Sequence, residues 1–462
     1  LDVNYYVYLG YIKVTLANQF DVVYRDIDTV RGKITLIFIE DLIDGTRISN
    51  YIIRPLQGIG DNLNNGEDIR RTILKSTETA TITTPDSGIT NILAGNVIIL
   101  FEFIPEVLSC DVKKFSKRPV QDAKIDVAAQ GPQEAFNEVL LDNICLLRRR
   151  IKNPNLKLER FIIGRSSQTT VVVIYMEGVT PPELVSYIRK KISAMDIDFI
   201  LDVSYIGEQF KEGYTFFDTL SGSERPDTVA SRLFEGRVAV LVDGTPFVLT
   251  APTFFMEFFQ AADDYYLNKY VVGFTRMIRV GSLFVSLMLP GLYVAIATNH
   301  LNLLPTTIAF TIAMSRATVP FPMIAEVLLM LMFFELTQKA GKRLPAQIGQ
   351  SLSIVSALIL GQSAINAGLT SDSTVVIMGI YAITSFINPQ VSSASSMWSV
   401  FVIILSAISG MHGFFVGLIV MAAHLTSLKS CGYPYIFPIG TATTFSSTDF
   451  FLRSDLGSIS SM

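Results

Sequence analysis

The stretch Ser223 to Tyr266, SERPDTVASRLFEGRVAVLVDGTPFVLTAPTFFMEFFQAADDYY, decides how the chain is read. Before it the sequence carries the charge of a protein folded in water. Shortly after it, Val280 to Thr298 pass nineteen residues without a charge, the length that crosses hydrocarbon as a helix. Within the stretch, Glu224 to Arg232 has helical composition behind an ERPD opening, and Arg237 to Val242 is a β-branched strand run. Asp243-Gly244 then predicts a tight turn that returns the chain as Phe247 to Leu249. Phe254, Phe255, Phe258 and Phe259 follow as an aromatic helix suited to a bilayer surface. A strand pair joined to such a helix either couples two domains or closes one and anchors the next.

Outward from this boundary the composition divides. The 462 residues are 50% hydrophobic and include 37 basic and 41 acidic side chains, of which eleven lie beyond Gly281. A mean hydropathy of +0.42 is therefore the average of an ordinarily charged region and a strongly depleted one. Net charge −4 gives no electrostatic case for nucleic acid. Cys110, Cys145 and Cys431 are widely spaced without ligand-spaced histidines, so neither a metal site nor a disulfide framework is expected, and a reducing compartment is favoured. The chain opens at Leu1 with no basic-then-apolar pattern, so no cleavable signal peptide is expected.

The first part predicts an α/β soluble region of two related small α/β subdomains. KITLIFIEDLIDGTRISNYI (33 to 52) and TTVVVIYMEGVTPPELVSYI (169 to 188) both read as buried strand, acidic loop and helix, and a shift of 137 positions superposes Glu40 on Glu177 and Ser49 on Ser186. Asp44 and Thr180 stand where helix N-caps are wanted. Further strands are expected at Asn96 to Phe103 and Phe199 to Tyr205, and a connecting helix over Gly131 to Arg150. Its cationic end, Arg148, Arg149, Arg150 and Lys152, is either a phosphate-binding patch or a solvated helix terminus. Gly58-Ile59-Gly60 lacks the pattern of a phosphate loop, and Asp263-Asp264 reads as a polar cluster before a span. No catalytic constellation and no cofactor site is expected.

The second part predicts an α-helical polytopic membrane domain of four to six crossings. Arg276 and Arg279 place the start of the first span, kinked at Pro290, on the cytoplasmic side. Leu303 to Ser315 and Met323 to Leu336 flank a break at Pro320 and Pro322, as in a re-entrant pair. Small residues recur at Ser353, Ala357, Gly361, Ala364 and Gly368, a close-packing or oligomer face. A polar break is expected at Asn388 to Ser396, and Gly410 and Gly413 are expected to bend Met397 to Ser427. Pore or gating candidates are Arg316, Glu326, Gln362 and Asn366, because ionisable and amide groups are costly in lipid. Glu326 alternatively forms an ion pair with Arg316. Glu335, four residues before Lys339, reads as half of a surface pair. Coupling-hinge candidates are Asp243, Gly244, Phe254 and Phe258. The domains expected are 1–130, a helical connector 131–153, 154–266 with the hinge, a transmembrane domain 267–437 and a flexible tail 438–462.

Four blocks in order carry a resemblance: LRRRIKNPNL (147 to 156), the opening stretch, VPFP (319 to 322) and KRLPAQIGQSLSIVSALILGQSAINAG (342 to 368). Together they resemble the spore germination protein A-subunit family, the A subunits of nutrient germinant receptors of endospore-forming bacteria. The resemblance implies a multi-pass protein of the spore inner membrane with its soluble region on the cytoplasmic, core side. It implies a homo-oligomeric ring acting as a ligand-gated cation-release channel, with a transporter-like B subunit and a lipoprotein C subunit as partners. Where the family pattern leads one to expect carboxylates, this chain has Ala317, Leu331 and Lys339. A secondary transporter, which predicts an inverted repeat, and a non-conducting receptor scaffold are the alternatives.

Overall fold

A computed structural model describes residues 5–58, 65–74, 78–113, 131–342 and 359–439. The chain forms two compact units, one of residues 1–211 and 220–253, the other of 212–219 and 254–462.

The first unit begins with α1 (Tyr5–Thr15) and the hairpin β1 (Val22–Thr29) and β2 (Gly32–Ile39). A helix follows that opens as α2 (Gly45–Ile48), widens to a π-turn at Ser49–Ile53 and closes as α3 (Arg54–Gln57). Then come α4 (Gly66–Thr72), β3 (Thr79–Ile82), α5 (Pro85–Leu93), β4 (Asn96–Phe101) and β5 (Val107–Asp111). After α6 (Leu140–Arg150) the plan repeats: β6 (Leu156–Ile163), β7 (Thr169–Met176), α7 (Pro182–Ser193), α8 (Val203–Phe210), β8 (Ser221–Ser223), α9 (Pro226–Phe234), β9 (Val238–Val242) and β10 (Val248–Ala251).

The two sheets have one topology. Their orders are β1-β2-β4-β5-β3 and β6-β7-β9-β10-β8, and every pairing is antiparallel. The second strands start 137 residues apart, at Gly32 and Thr169, as the repeat in the sequence requires. The helices before the fourth strands start 141 apart, at Pro85 and Pro226, and each ends one residue before a left-handed glycine's neighbour: Ala94-Gly95 (φ +87°) and Glu235-Gly236 (φ +84°). A β-carbon on Gly236 would stand 2.9 Å from the Val179 carbonyl oxygen, so glycine is required there for space as well as for φ.

Burial explains the strand composition. Alternate residues of β2 feed opposite cores: Ile34, Leu36 and Phe38 pack with Ile48, Ile52 and Leu56, while Ile37 and Ile39 pack with Tyr8 and Ile12 of α1 and Ile92 of α5. With helices on both faces the strand reads as an apolar run from Ile34 to Ile39 broken only by Thr35, whose hydroxyl donates to Asp26 Oδ1 (2.6 Å). In the second sheet, Val172, Ile174 and Leu241 pack with Ile144 and Leu147 of α6 and Val229 and Leu233 of α9.

Four expectations are corrected. Phe199 to Tyr205 is not a strand; Asp202 accepts from Ser204 N (3.2 Å) and caps α8, whose Val203, Ile206 and Phe210 share one buried face. The connecting helix begins at Leu140 rather than Gly131, because Asn137 N donates to Asn143 Oδ1 (2.8 Å) and Phe136 N to Glu224 O (2.8 Å), bonds that hold the preceding segment out of the helix. Asp44 does cap α2, but Thr180 Oγ1 accepts from Met176 N (3.2 Å) and closes the turn before α7 instead. Asp243-Gly244 turns the chain as expected, but the returning strand begins at Val248 rather than Phe247.

The cationic end of α6 is structural in its first members. Arg148, 1% exposed, forks onto Asp21 (2.8 and 2.9 Å) and reaches Gln19 (3.1 Å), while Arg149 and Arg150 pair with Glu134. Lys157 Nζ donates to the Thr15 and Ala17 carbonyls. These bonds tie the loop before β1 to the second sheet.

The second unit contains α10 (Lys269–Asn299), α11 (Thr306–Arg316), α12 (Met323–Lys342), α13 (359–366), α14 (Asp372–Ile387), α15 (Ser392–Ser409), α16 (Met411–Ser427) and a two-residue hairpin of β11 (Lys429–Ser430) and β12 (Tyr433–Pro434). Among the described residues, α10 and α15 are long and apolar enough to cross a membrane. Helix α10 continues through Pro290. The stretch expected to bend is two helices parted by Gly410 (φ +59°), and Ser392 to Ser396 is helical rather than a break. The aromatic segment forms two short 3-10 turns, Phe255–Phe259 and Ala262–Tyr265. Residues 212–219 belong to this unit as well: Phe217 is buried against Phe255, Tyr435 OH donates to Asp218 O (2.9 Å), and Ser430 Oγ donates to Thr219 O (2.6 Å).

Arg148→Ala leaves Asp21 buried and unpaired, and is expected to cost about 3–5 kcal/mol, read by chemical denaturation with far-UV circular dichroism. Acidification is a second check. Burial pushes the Glu159 carboxyl up, but the Arg189 fork and the Tyr175 hydroxyl outweigh it and hold the carboxyl below its usual range. A depressed carboxyl contributes stability above its unfolded value of about 4.3 and loses it as pH falls through the folded value. The α/β unit should therefore weaken on acidification below that point, and Arg189→Ala should make the fall shallower.

Candidate functional site

The break between α11 and α12 brings Arg316 and Glu326 together. Glu326 lies in the first turn of α12 and is fully buried. Its Oε1 accepts from Ser371 N (2.6 Å), Ser371 Oγ (2.6 Å) and Thr370 Oγ1 (3.2 Å), and its Oε2 from Arg316 Nε (3.4 Å). Ser371 is also the N-cap of α14, and its hydroxyl stands 3.0 Å from Thr374 Oγ1, which in turn meets Tyr293 OH at 3.1 Å. One carboxylate thus links α11, α12, α14 and, through two hydroxyls, α10. Four donors satisfy it within a single chain, which is the ion-pair arrangement with hydroxyls added. The sequence hid the role of Thr370 and Ser371, though TSDST is a recognisable N-cap signal.

Gln362 and Asn366 are not part of this cluster. They pair with each other across one helical turn of α13 (Nε2 to Oδ1, 3.3 Å), and both side chains are exposed. Gly361 and Ala364 on the same helix are buried, with a β-carbon on Gly361 falling 3.2 Å from Val375 of α14. Of the small-residue stripe, Gly361 and Ala364 therefore pack inside the chain, Gly368 is half-buried beyond the end of α13 at φ +68°, and Ser353 and Ala357 lie outside the described residues. The amides face away.

Glu335 differs from its expected pairing with Lys339. Its Oε1 accepts from Tyr381 OH (3.2 Å) and is in contact with Ser396 Oγ, so it joins α12 to α14 and α15. Nine residues set the two carboxylates of α12 about half a revolution apart, yet both reach α14, Glu326 at its N-cap and Glu335 at Tyr381.

The hinge candidates fall in separate units. In the first, Asp243 Oδ1 accepts from Leu140 N (3.3 Å), which caps α6, and Gly244 N donates to Glu138 O (2.9 Å) at φ +91°. In the second, Phe254 packs on Phe437 (centroids 4.9 Å) and Phe258 borders the cluster of Phe259, Leu283 and Val391. Just beyond, the buried Asp264 takes Arg276 Nε (2.8 Å) and Arg279 Nη1 (2.9 Å), so the two cations in the first turns of α10 are bound to an internal acid. Among the described residues no group of acidic, cysteine or histidine side chains has the arrangement of a metal site.

The family model described as Bacillus/Clostridium GerA spore germination protein matches residues 10–461. Spore germination protein KA of Bacillus subtilis (strain 168) is 36% identical over 436 residues, which are 92% of this chain and 80% of that protein. Spore germination protein GerLA of Bacillus cereus is 32% identical over 453 residues, 96% of this chain and 91% of that protein. The crystal structure of the N-terminal domain of the A subunit of the Bacillus megaterium spore germinant receptor GerK3 is 30% identical, covers 54% of this chain and 94% of that chain, and gives a TM-score of 0.43.

Removing the Glu326 charge tests the cluster. Glu326→Gln weakens four bonds and is expected to destabilise the helical unit by about 1.5–3 kcal/mol, and Glu326→Ala by more, seen as a lower melting temperature of the detergent-solubilised chain.

Proposed function

Because the chain belongs to the Bacillus/Clostridium GerA spore germination protein family, we propose that it is the A subunit of a nutrient germinant receptor that releases cations. In this reading the helical unit crosses the inner spore membrane several times and the α/β unit lies on the core side. Copies of the chain form a ring, and a transporter-like B subunit and a lipoprotein C subunit complete the receptor. Nutrient binding in a neighbouring subunit shifts the ring towards an open state.

The observation that carries the conducting part is the exposed amide pair of α13. Gln362 and Asn366 project from the outside of a unit whose other exposed helical residues are largely apolar, such as Ile359, Val376, Ile383, Ile408 and Ile419. Amides facing lipid are costly. Facing a wet lumen shared between copies, they are solvated and can replace part of the hydration of a passing ion. Arg316 and Glu326 then act behind the lumen, holding the broken segment in place. The domain division 1–130, 131–153, 154–266, 267–437 and 438–462 belongs to the same proposal, with Asp243, Gly244, Phe254 and Phe258 as the coupling hinge.

Ion flux from liposomes containing the chain tests the reading. The wild type should release cations, and replacing both amides by leucine, Gln362→Leu with Asn366→Leu, should remove most of the flux while the oligomer persists. An oligomer that passes no ion would make the chain a scaffold. Monomers that move one solute by exchange would make it a transporter.

A further inference from the structure

Glu335 sits in an arrangement that its own hydrogen atoms cannot complete. Its Oε1, Tyr381 OH and Ser396 Oγ lie in mutual contact, Tyr381 OH at 3.2 Å from Glu335 and 2.8 Å from Ser396, and Ser396 Oγ also stands 2.9 Å from the Ser392 carbonyl. Four oxygen-to-oxygen contacts are made and two hydroxyl protons are available to them. At least two contacts therefore oppose lone pair to lone pair. The Ser392 carbonyl offers no relief, because it also accepts from Ser395 Oγ at 2.9 Å.

Charge gives the same answer. Among the described residues no lysine or arginine lies within ion-pair distance of Glu335, in contrast to Glu326 with Arg316 and Asp264 with Arg276 and Arg279. Lys339, one turn further along α12, is exposed. Tyr381 and Ser396 are each 1% exposed, whereas Glu335 is only partly buried, so the cluster has a closed floor and an open side. A negative charge, two hydroxyl oxygens and a carbonyl oxygen make an all-oxygen donor set, the chemistry that hard cations prefer. One carboxylate matches a single positive charge.

We propose that Glu335, Tyr381, Ser396 and the Ser392 carbonyl form a site for one monovalent cation, either a proton or an alkali metal ion. The added charge neutralises the carboxylate; a metal ion draws the opposed lone pairs towards itself, and a proton fills one of the opposed contacts. Occupancy then tightens α12 against α14 and α15, since each contributes a ligand. The site is independent of the channel reading: binding is measurable in protein that conducts nothing, so failure of one does not imply failure of the other.

The test is the melting temperature of the full chain in mild detergent, with sodium or potassium chloride exchanged for choline chloride at constant ionic strength, and separately across pH. A bound ligand stabilises by mass action, so an alkali metal ion at roughly ten times its Kd should raise the midpoint by about 2 °C or more. Glu335→Gln should abolish that dependence, and Tyr381→Phe and Ser396→Ala should weaken it. If the ligand is a proton, sodium and potassium have no effect beyond choline, and the wild type has a step in its pH profile that is absent from Glu335→Gln. Should Glu335→Gln fail to fold, Ser396→Ala and Tyr381→Phe carry the comparison. Identical salt and pH profiles for the wild type and the foldable variants would overturn the proposal.

Discussion

A carboxylate inside an apolar helical unit costs several kcal/mol unless the chain surrounds it with donors, and the arrangement of α10, α11, α12 and α14 follows from how Glu326 is surrounded. Its donors come from the end of α11 and from the N-terminus of α14. A helix N-terminus is a natural partner, because its first amides are unpaired and its dipole favours negative charge. The interruption at Pro320 and Pro322 lets one short segment supply both Arg316 and Glu326. The same economy recurs twice: Arg148 with Asp21 holds the loop before β1, and Asp264 with Arg276 and Arg279 holds the start of α10. Each pair joins residues that the sequence separates by ten positions or more, and each is buried on at least one side.

How much of this was legible depends on distance along the chain. The corresponding strands β2 and β7 stand out because both are nearly continuous apolar runs, and their 137-residue offset survives intact. The rest of the duplication was obscured by shifts in that offset: the first strands are 134 apart, because the β6–β7 loop is longer than the β1–β2 turn, and the later helices are 141 apart. The recurring Pro-Asp start and glycine end of α5 and α9 was a usable signal that a single sliding offset misses. Phe199 to Tyr205 misled because five apolar residues in seven suit either period, and Asp202 as a cap decided for helix. Residues 212–219 gave no warning, since eight polar and aromatic residues carry no period long enough to reveal that Phe217 packs with α10 and α15. Glu335 illustrates the general limit. Its neighbour at four residues was visible; Tyr381 and Ser396, at 46 and 61 residues, were not.

The candidate site was legible in membership and illegible in grouping. Residue type alone picked out Arg316, Glu326, Gln362 and Asn366, because charge and amide groups are rare among apolar helices. The structure sorts them by what the single chain satisfies. Glu326 is saturated within the chain, while the amides of α13 remain on its outside beside a buried small-residue face. Internal polar groups that are fully bonded fix a helix arrangement; external ones need something polar to face.

That contrast is the centre of the account, in which the proposed ring gives the amides of α13 a polar surface to face. The direct test is the mass of the full chain released intact from mild detergent into the gas phase. A closed ring predicts one dominant species at an integer multiple of the 51.0 kDa chain mass. A species that stays at the mass of one chain at every protein concentration would contradict it.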